Sequence, residues 1–502
     1  MINRVYTVSE HLYFRDIVEI QTNISDKGLP IFEIYGLVSR SVEESKKRVA
    51  ISLENCGFQF PLKNISVNIA PASISKSGTH YDLPIAVSIL KEKIKIPHEK
   101  SIFIGEISFD GEVRHVENIF YLVISAIEQG FKHIYIPYSS KERVFGFDDV
   151  NIYPLKSLND LSRIENILPL SLEKLSKESG EVMMPTYSRI NGNFKGKKAI
   201  SYSLIGNHSI LIQGPPGIGK SMLIQSMPEI APEMSEEDSI SVSKIYSYAG
   251  IDREKEFFKI PFRFPHTLSS YSSIFGSFSS RILVGEVTLA NKGILFLDEF
   301  PEFNRLVIEG LRSPLEDGRI QLSRSGIKTS LESNFLLAAT MNPCKCGYYN
   351  HEKISCTCSP VEIKRYQSKI SGPILDRIDI KLNLDGISNN YTNDDKLYPN
   401  LDFRYIKKFI TEKKKLKESL LGTSNIGKNN YIDTYNIIVQ KYFPNKIYSL
   451  LLNELKNTTI SDRSKIKLIN LIFTICIFNN RDQITLEDVL EGLSLTFKKS
   501  YL

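Results

Sequence analysis

Hydrophobic spacing divides this chain into stretches of different character. In its middle, Ile294 to Leu297 is a continuous apolar run, the pattern of a strand buried on both faces, and Ile210-Leu211-Ile212 and Phe335 to Thr340 are strand-like too. Nearer the N-terminus, Ile65 to Ala70 and Ile102 to Ile107 predict strands and Ser41 to Asn55 a helix, while Phe109-Asp110-Gly111-Glu112 marks a hairpin turn. Residues 1–165 therefore read as an α+β domain. From Glu165 to Arg189 the periodicity fades, and Pro169, Gly180 and Pro185 mark a linker over 166–188. Residues 189–386 follow as an α/β core. Beyond a polar stretch rich in Asn and Asp, residues 387–502 carry leucine and isoleucine at helical spacing and predict an entirely helical domain.

The run Ile210–Ile212 leads into Gly214-Pro215-Pro216-Gly217-Ile218-Gly219-Lys220-Ser221, a complete phosphate-binding loop, and a helix-compatible stretch follows it. Glycines let successive N–H groups close around phosphate oxygens, and the helix start adds partial positive charge. Lys220 reaches the β- and γ-oxygens, and the Ser221 hydroxyl can ligate magnesium. The run Ile294–Leu297 ends in Asp298-Glu299. Open parallel sheets bind ligands beyond the carboxyl ends of their strands, which assigns Asp298 to the magnesium shell and Glu299 to polarising the attacking water. The pair of motifs reads as a nucleotide hydrolase.

Composition narrows the setting more than the chemistry. A chain of 502 residues, 42% of them hydrophobic, accommodates two to four domains with their own cores. The N-terminus lacks a secretory signature, and the longest apolar stretch, Leu471 to Phe478, is far too short to span a bilayer, so a cytoplasmic protein without a membrane partner is expected. A net charge of +6 permits a polyanionic partner without arguing for one. The basic run Lys407, Lys408, Lys413, Lys414, Lys415 and Lys417 reads as a solvated helix face, with phosphate-backbone contact as the sharper alternative. Of six cysteines, Cys344, Cys346, Cys356 and Cys358 crowd together as C-x-C, nine residues, C-x-C. In a cytosolic chain this points to zinc before disulfides. The spacing is tighter than the usual zinc pattern, and four reduced thiols are the other reading.

In order and wording these motifs resemble the ComM/YifB family of bacterial magnesium-chelatase-like AAA+ ATPases over nearly the whole chain. The likeness rests on Leu83-Pro84-Ile85-Ala86, Pro261-Phe262-Arg263-Phe264-Pro265-His266, Gly293 to Phe300, Met341-Asn342-Pro343-Cys344-Lys345-Cys346-Gly347 and Ile370 to Asp379. It implies an AAA+ P-loop core with an N-terminal domain like that of the Lon protease and a C-terminal helical lid. It implies ATP and Mg2+ as cofactors, a homo-oligomer in the form of a hexameric ring, and DNA as partner, with branch-migration helicase activity in recombination or DNA uptake.

Residue by residue, the resemblance makes Asn342 the sensor that orients the lytic water beside Glu299. Arg377 becomes an arginine finger offered to the γ-phosphate of a neighbouring subunit, against a bland alternative of pairing with Asp376 or Asp379. Arg463 aligns with a lid arginine that senses the γ-phosphate in cis. The helix after it departs from the family pattern at Ile472-Phe473-Thr474-Ile475, which offers no second basic contact. Arg319 to Gly326 resembles the first arm of a pore hairpin in which Arg324 and Lys328 grip a nucleic-acid backbone or are merely solvated. A Lon-like protease is disfavoured, because Asp82 and Phe120 occupy the places of its serine and lysine. A magnesium-chelatase motor subunit, driving a metal-insertion partner, is the remaining alternative; such subunits generally lack the N-terminal domain.

Overall fold

The structure is a computed structural model. It describes residues 2–10, 17–72, 76–144, 147, 149–171, 186–190, 192–251, 253, 256–279, 282–324, 327–384, 403–422, 431–456 and 461–496. Contacts divide the chain into two compact units. One comprises Met1–Ser179 with Ser239–Phe257 and Ser280–Ile282; the other comprises Gly180–Asp238, Phe258–Ser279 and Leu283–Leu502.

The first unit is built on β1 (Ile2–Val8), β2 (Ile17–Ser25), β3 (Phe32–Tyr35), β4 (Asn64–Ala70), β5 (Ser101–Phe103), β6 (Glu106–Ile107), β7 (Val113–Arg114), β8 (His133–Pro137) and β9 (Asn151–Leu155). Seven of these form a mixed sheet in the order β3-β4-β2-β1-β5-β8-β9. Alternate residues of β1, β2 and β4 are buried, so one face of the sheet carries the core, where Val5, Ile20 and Val67 join the wholly buried helix Asp82–Leu90. The expected helix is present as Arg40–Asn55, and the predicted turn joins the antiparallel pair β6–β7. The expected strand Ile102–Ile107 is broken at Ile104-Gly105. Gly105 donates its N–H to the carbonyl of His80 and presents its own carbonyl to the N–H of Leu83, so its backbone pairs outside the ladder, and a Cβ there would stand 2.8 Å from a Val113 methyl.

At the positions compared with a protease dyad, Asp82 is fully buried and takes Arg48 Nε at 2.8 Å and Nη2 at 3.0 Å. Burial raises the Asp82 carboxyl, and Arg48 opposes that shift. Phe120 is also buried. These are packing roles.

The second unit holds β10 (Ile210–Gln213), β11 (Phe262–Arg263), β12 (Ile294–Leu297), β13 (Arg319–Arg324), β14 (Ile327–Glu332), β15 (Leu336–Met341) and β16 (Ile380–Asn383). Five form a parallel sheet in the order β11-β12-β15-β10-β16, with Ile210 opposite both Ala338 and Ile380, while β13 and β14 pair as a separate hairpin. The continuous apolar runs have the expected cause. Ile210, Ile212, Ile294, Phe296 and Ala338 join one core, and Leu211, Leu295, Leu297, Leu337 and Ala339 join another on the opposite face.

Helices Phe403–Leu421, Tyr431–Tyr442, Asn445–Lys456, Asp462–Phe478 and Leu486–Thr496 complete the unit, and Ile406, Ile410, Leu471 and Ile475 enter the first of those cores. The lysine run is not a single solvated face. Lys413 and Lys417, one helical turn apart, point inward: Lys413 donates to Asn480 Oδ1, and Lys417 Nζ donates to Thr474 Oγ1 at 2.8 Å. Lys408 and Lys415 remain exposed, and Lys407 pairs with Glu233 at 2.9 Å. Among the described residues, no helix is long and apolar enough to cross a membrane.

Candidate functional site

Strands β10, β12 and β15 run parallel, so Gly214, Asp298 and Asn342, each the residue that follows its strand, emerge at one edge of the sheet. The loop after β10 turns back through Gly217 and Gly219, whose φ values of +77° and +88° suit glycine, and delivers Lys220 and Ser221 to the first turn of the helix Lys220–Gln225. Pro215, Pro216 and Ile218 complete that turn.

Lys220 is buried. Its Nζ donates to the carbonyls of Gly214 and Pro215, both at 2.8 Å, and to Asn342 Oδ1 at 3.0 Å. Burial lowers its pKa from the ordinary lysine value, and the charges of Asp298 and Glu299 work against that shift. The two carbonyls hold the ammonium where the loop would present a phosphate.

Ser221 Oγ lies 2.9 and 3.0 Å from the two oxygens of Asp298. A hydroxyl and a carboxylate in contact at the end of a phosphate loop form the oxygen-donor set that magnesium accepts alongside a nucleotide, so these residues fit the ion and would hold it. Thr340, the last residue but one of β15, donates its hydroxyl to Asp298 Oδ1 and accepts the N–H of Glu299 at 3.1 Å. It thereby fixes both acids. Thr340 belongs to no motif, and its one signal in the sequence is that of a polar residue closing an apolar strand two places before Asn342. Glu299 itself has φ +51° and an exposed side chain, thrown outward by the left-handed turn beyond the strand.

Arg377 and Arg463 lie elsewhere. Arg377 precedes β16, so it stands at the edge where the strands begin. There it donates to Glu316 and, at 2.7 Å, to the carbonyl of Pro373. Arg463 donates to the other oxygen of the same Glu316 carboxylate. The two guanidiniums, Arg377 foremost, hold the Glu316 carboxyl below its usual range. Lys467 fastens this corner by donating to the carbonyl of Arg377 at 2.8 Å and pairing with the partly buried Asp379 at 2.6 Å.

Four residues of β10, at about 3.3 Å each, put roughly 13 Å of strand between this edge and the phosphate loop. Arg463, expected to meet the γ-phosphate in cis, is held here by Glu316 at the end of the sheet opposite the phosphate loop. Arg377 is in an ion pair, as its bland alternative has it, but with Glu316 in place of Asp376 or Asp379.

The four clustered cysteines lie in the connection between β15 and the helix Pro360–Gln367. The Sγ atoms of Cys344, Cys346 and Cys356 are 3.3, 3.7 and 3.5 Å apart, and with Cys358 all four lie within 4.8 Å of one another, none in a disulfide. Tetrahedral zinc at about 2.3 Å from each sulfur would separate its ligands by about 3.8 Å, so the set could hold that ion. The N–H of Tyr348 helps bring the Cys346 thiol down to about 5.

The family model described as magnesium chelatase, subunit ChlI, matches residues 186–392, and a second, described as subunit ChlI of Mg-chelatase, matches residues 19–140. Competence protein ComM of Haemophilus influenzae is 34% identical over 381 residues, 73% of this chain and 73% of that protein. The chain belongs to the ComM/YifB family. The uncharacterized protein YifB of Escherichia coli is 32% identical over 374 residues, covering 73% of this chain and 72% of its own. A more distant relative, DNA replication licensing factor mcm-6 of Caenorhabditis briggsae, is 22% identical over 227 residues, 45% of this chain and 24% of that one. Membership makes this chain a magnesium-chelatase-like AAA+ ATPase, with ATP and Mg2+ as the cofactors the family implies.

Proposed function

We propose that this ComM/YifB protein is a ring-forming DNA motor: a Mg-dependent ATPase, hexameric, that acts as a branch-migration helicase in recombination or DNA uptake. One observation carries the reading. Lys220, Ser221, Asp298 and Asn342 are gathered at one edge of the sheet, while Arg377 and Arg463 are held together at the other. Arginines beyond reach of their own nucleotide suit a neighbour's, where they would offset the charge that develops on the transferred phosphoryl group. Each site then needs two subunits.

Within a site, the phosphate loop and Lys220 would bind the β- and γ-phosphates, and Ser221 and Asp298 would hold Mg2+, which neutralises phosphate charge. Glu299 would take the proton of the attacking water, oriented by Asn342.

DNA as the cargo is supported by what the relatives are called, a competence protein and a DNA replication licensing factor. The hairpin β13–β14 supports it too, standing directly before β15 with Lys328 exposed. The side chain of Arg324 lies outside the described residues. The chelatase descriptions attached to both family matches favour a second reading, a motor subunit that drives a metal-insertion partner. An ATPase and strand-displacement assay on branched DNA separates the two. Stimulation with strand exchange supports the helicase, and an ATPase indifferent to DNA supports the alternative.

A further inference from the structure

We propose that Cys344, Cys346, Cys356 and Cys358 bind one zinc ion, and that the knuckle this closes braces the phosphate loop through the packing of Gly347 on Pro216. The proposal rests on the reading of that loop as the nucleotide site.

The first support is the sulfur geometry. Four thiols within 4.8 Å of one another enclose room for a single tetrahedral ion, and soft thiolates select zinc over the magnesium used next door. The second is the character of the connection. Between Met341 and Pro360 the chain forms neither helix nor strand, and of the four cysteines only Cys344 is buried. A stretch this short has no core of its own to order it, which is the circumstance in which a metal supplies folding free energy.

The third support is what the stretch touches. It starts at Asn342, which accepts from Lys220 at 3.0 Å, and Gln367 of the following helix donates to the carbonyl of Pro343 at 2.9 Å. At Gly347, φ is +88°, and a Cβ would fall 2.6 Å from Pro216 Cδ and 2.7 Å from Cγ. Backbone is thus pressed directly on the phosphate loop one residue beyond a ligand. At the far end, Ser359 and Glu362 form a reciprocal cap that fixes the start of the helix one residue after Cys358. The connection is pinned at both ends and against Pro216, and the ion would set the shape of the part between.

The test uses the full chain, purified under reducing conditions. Elemental analysis is expected to find one zinc per chain, and Co2+ exchanged into the site should show the absorption of a tetrathiolate centre. Fluorescent ADP is then titrated in Mg2+ buffer against zinc-loaded protein, zinc-stripped protein, and protein to which zinc has been returned. Stripping should weaken ADP binding by about tenfold or more, and returning zinc should restore it. Cys356→Ser should lose both metal and affinity. Gly347→Ala should keep the zinc yet bind ADP more weakly, with thermal melting confirming that it folds. Sulfur without stoichiometric zinc overturns the site. Zinc present but ADP binding unaffected by its removal and by Gly347→Ala overturns the brace. If zinc-loaded wild-type protein binds no nucleotide, the reading of the phosphate loop fails and the brace with it, while the zinc count still decides the site.

Discussion

Ser221 Oγ rests against Asp298, 2.9 and 3.0 Å from its two carboxylate oxygens, so that the phosphate loop and the end of β12 meet in one donor set. Neither residue alone defines a magnesium position; their contact does. Ser221→Ala and Asp298→Asn are each expected to raise the Mg2+ concentration needed for half-maximal hydrolysis and to lower the rate by about a hundredfold or more. Steady-state ATPase assays over a Mg2+ series, with circular dichroism to confirm folding, check this.

Arg377 and Arg463 share Glu316 at the opposite edge. If both serve a neighbour's nucleotide, chains carrying Lys220→Ala and chains carrying Arg377→Ala should each be inactive alone and recover activity on mixing, because one supplies the arginine and the other the intact loop. Arg463→Ala should behave like Arg377→Ala. Absence of any recovery in mixed assemblies of demonstrated heterogeneity would count against shared sites.

The hairpin gives a narrower expectation. Lys328→Glu should reduce DNA-stimulated hydrolysis and the salt sensitivity of DNA binding while leaving DNA-free hydrolysis in place, since Lys328 is exposed on a hairpin whose strands pair only with each other. ATPase titrations with branched DNA at two salt concentrations read this out.

Lys417 makes stability depend on pH. Burial brings its pKa down to about 7, against an ordinary lysine value of 10.5 in the unfolded chain. Between those values the unfolded chain binds the extra proton, so this residue's contribution makes stability rise as pH increases from about 7 towards 10, and below 7 the folded state carries the full cost of a buried charge. Lys417→Met should stabilise the protein at pH 7 and do so less at pH 9.5. Chemical denaturation at the two pH values measures the difference.

How much of this was legible depended on how local the cause was. The phosphate loop is written in consecutive residues, and the apolar runs of β10 and β12 are continuous because both faces of their sheet are covered, so each announces itself. Glu316 does not. It lies 61 residues from Arg377 and 147 from Arg463, and no short pattern connects the three. Thr340 was hidden for a similar reason, since its partner Asp298 is 42 residues away. The lysine run misled because composition counts charges without saying which face they occupy. Spacing of four put Lys413 and Lys417 on the inward stripe, and only the fold supplies Asn480 and Thr474 as their acceptors.

If the proposed function holds, this one site turns over ATP and DNA governs its rate. The most direct measurement is phosphate release by the wild-type chain and by Glu299→Gln, with Mg2+ and with or without branched DNA. DNA should accelerate release by the wild type, and the Glu299→Gln protein should bind ATP but release almost no phosphate. Equal release by the two proteins, or a wild-type rate unmoved by DNA, would contradict that function.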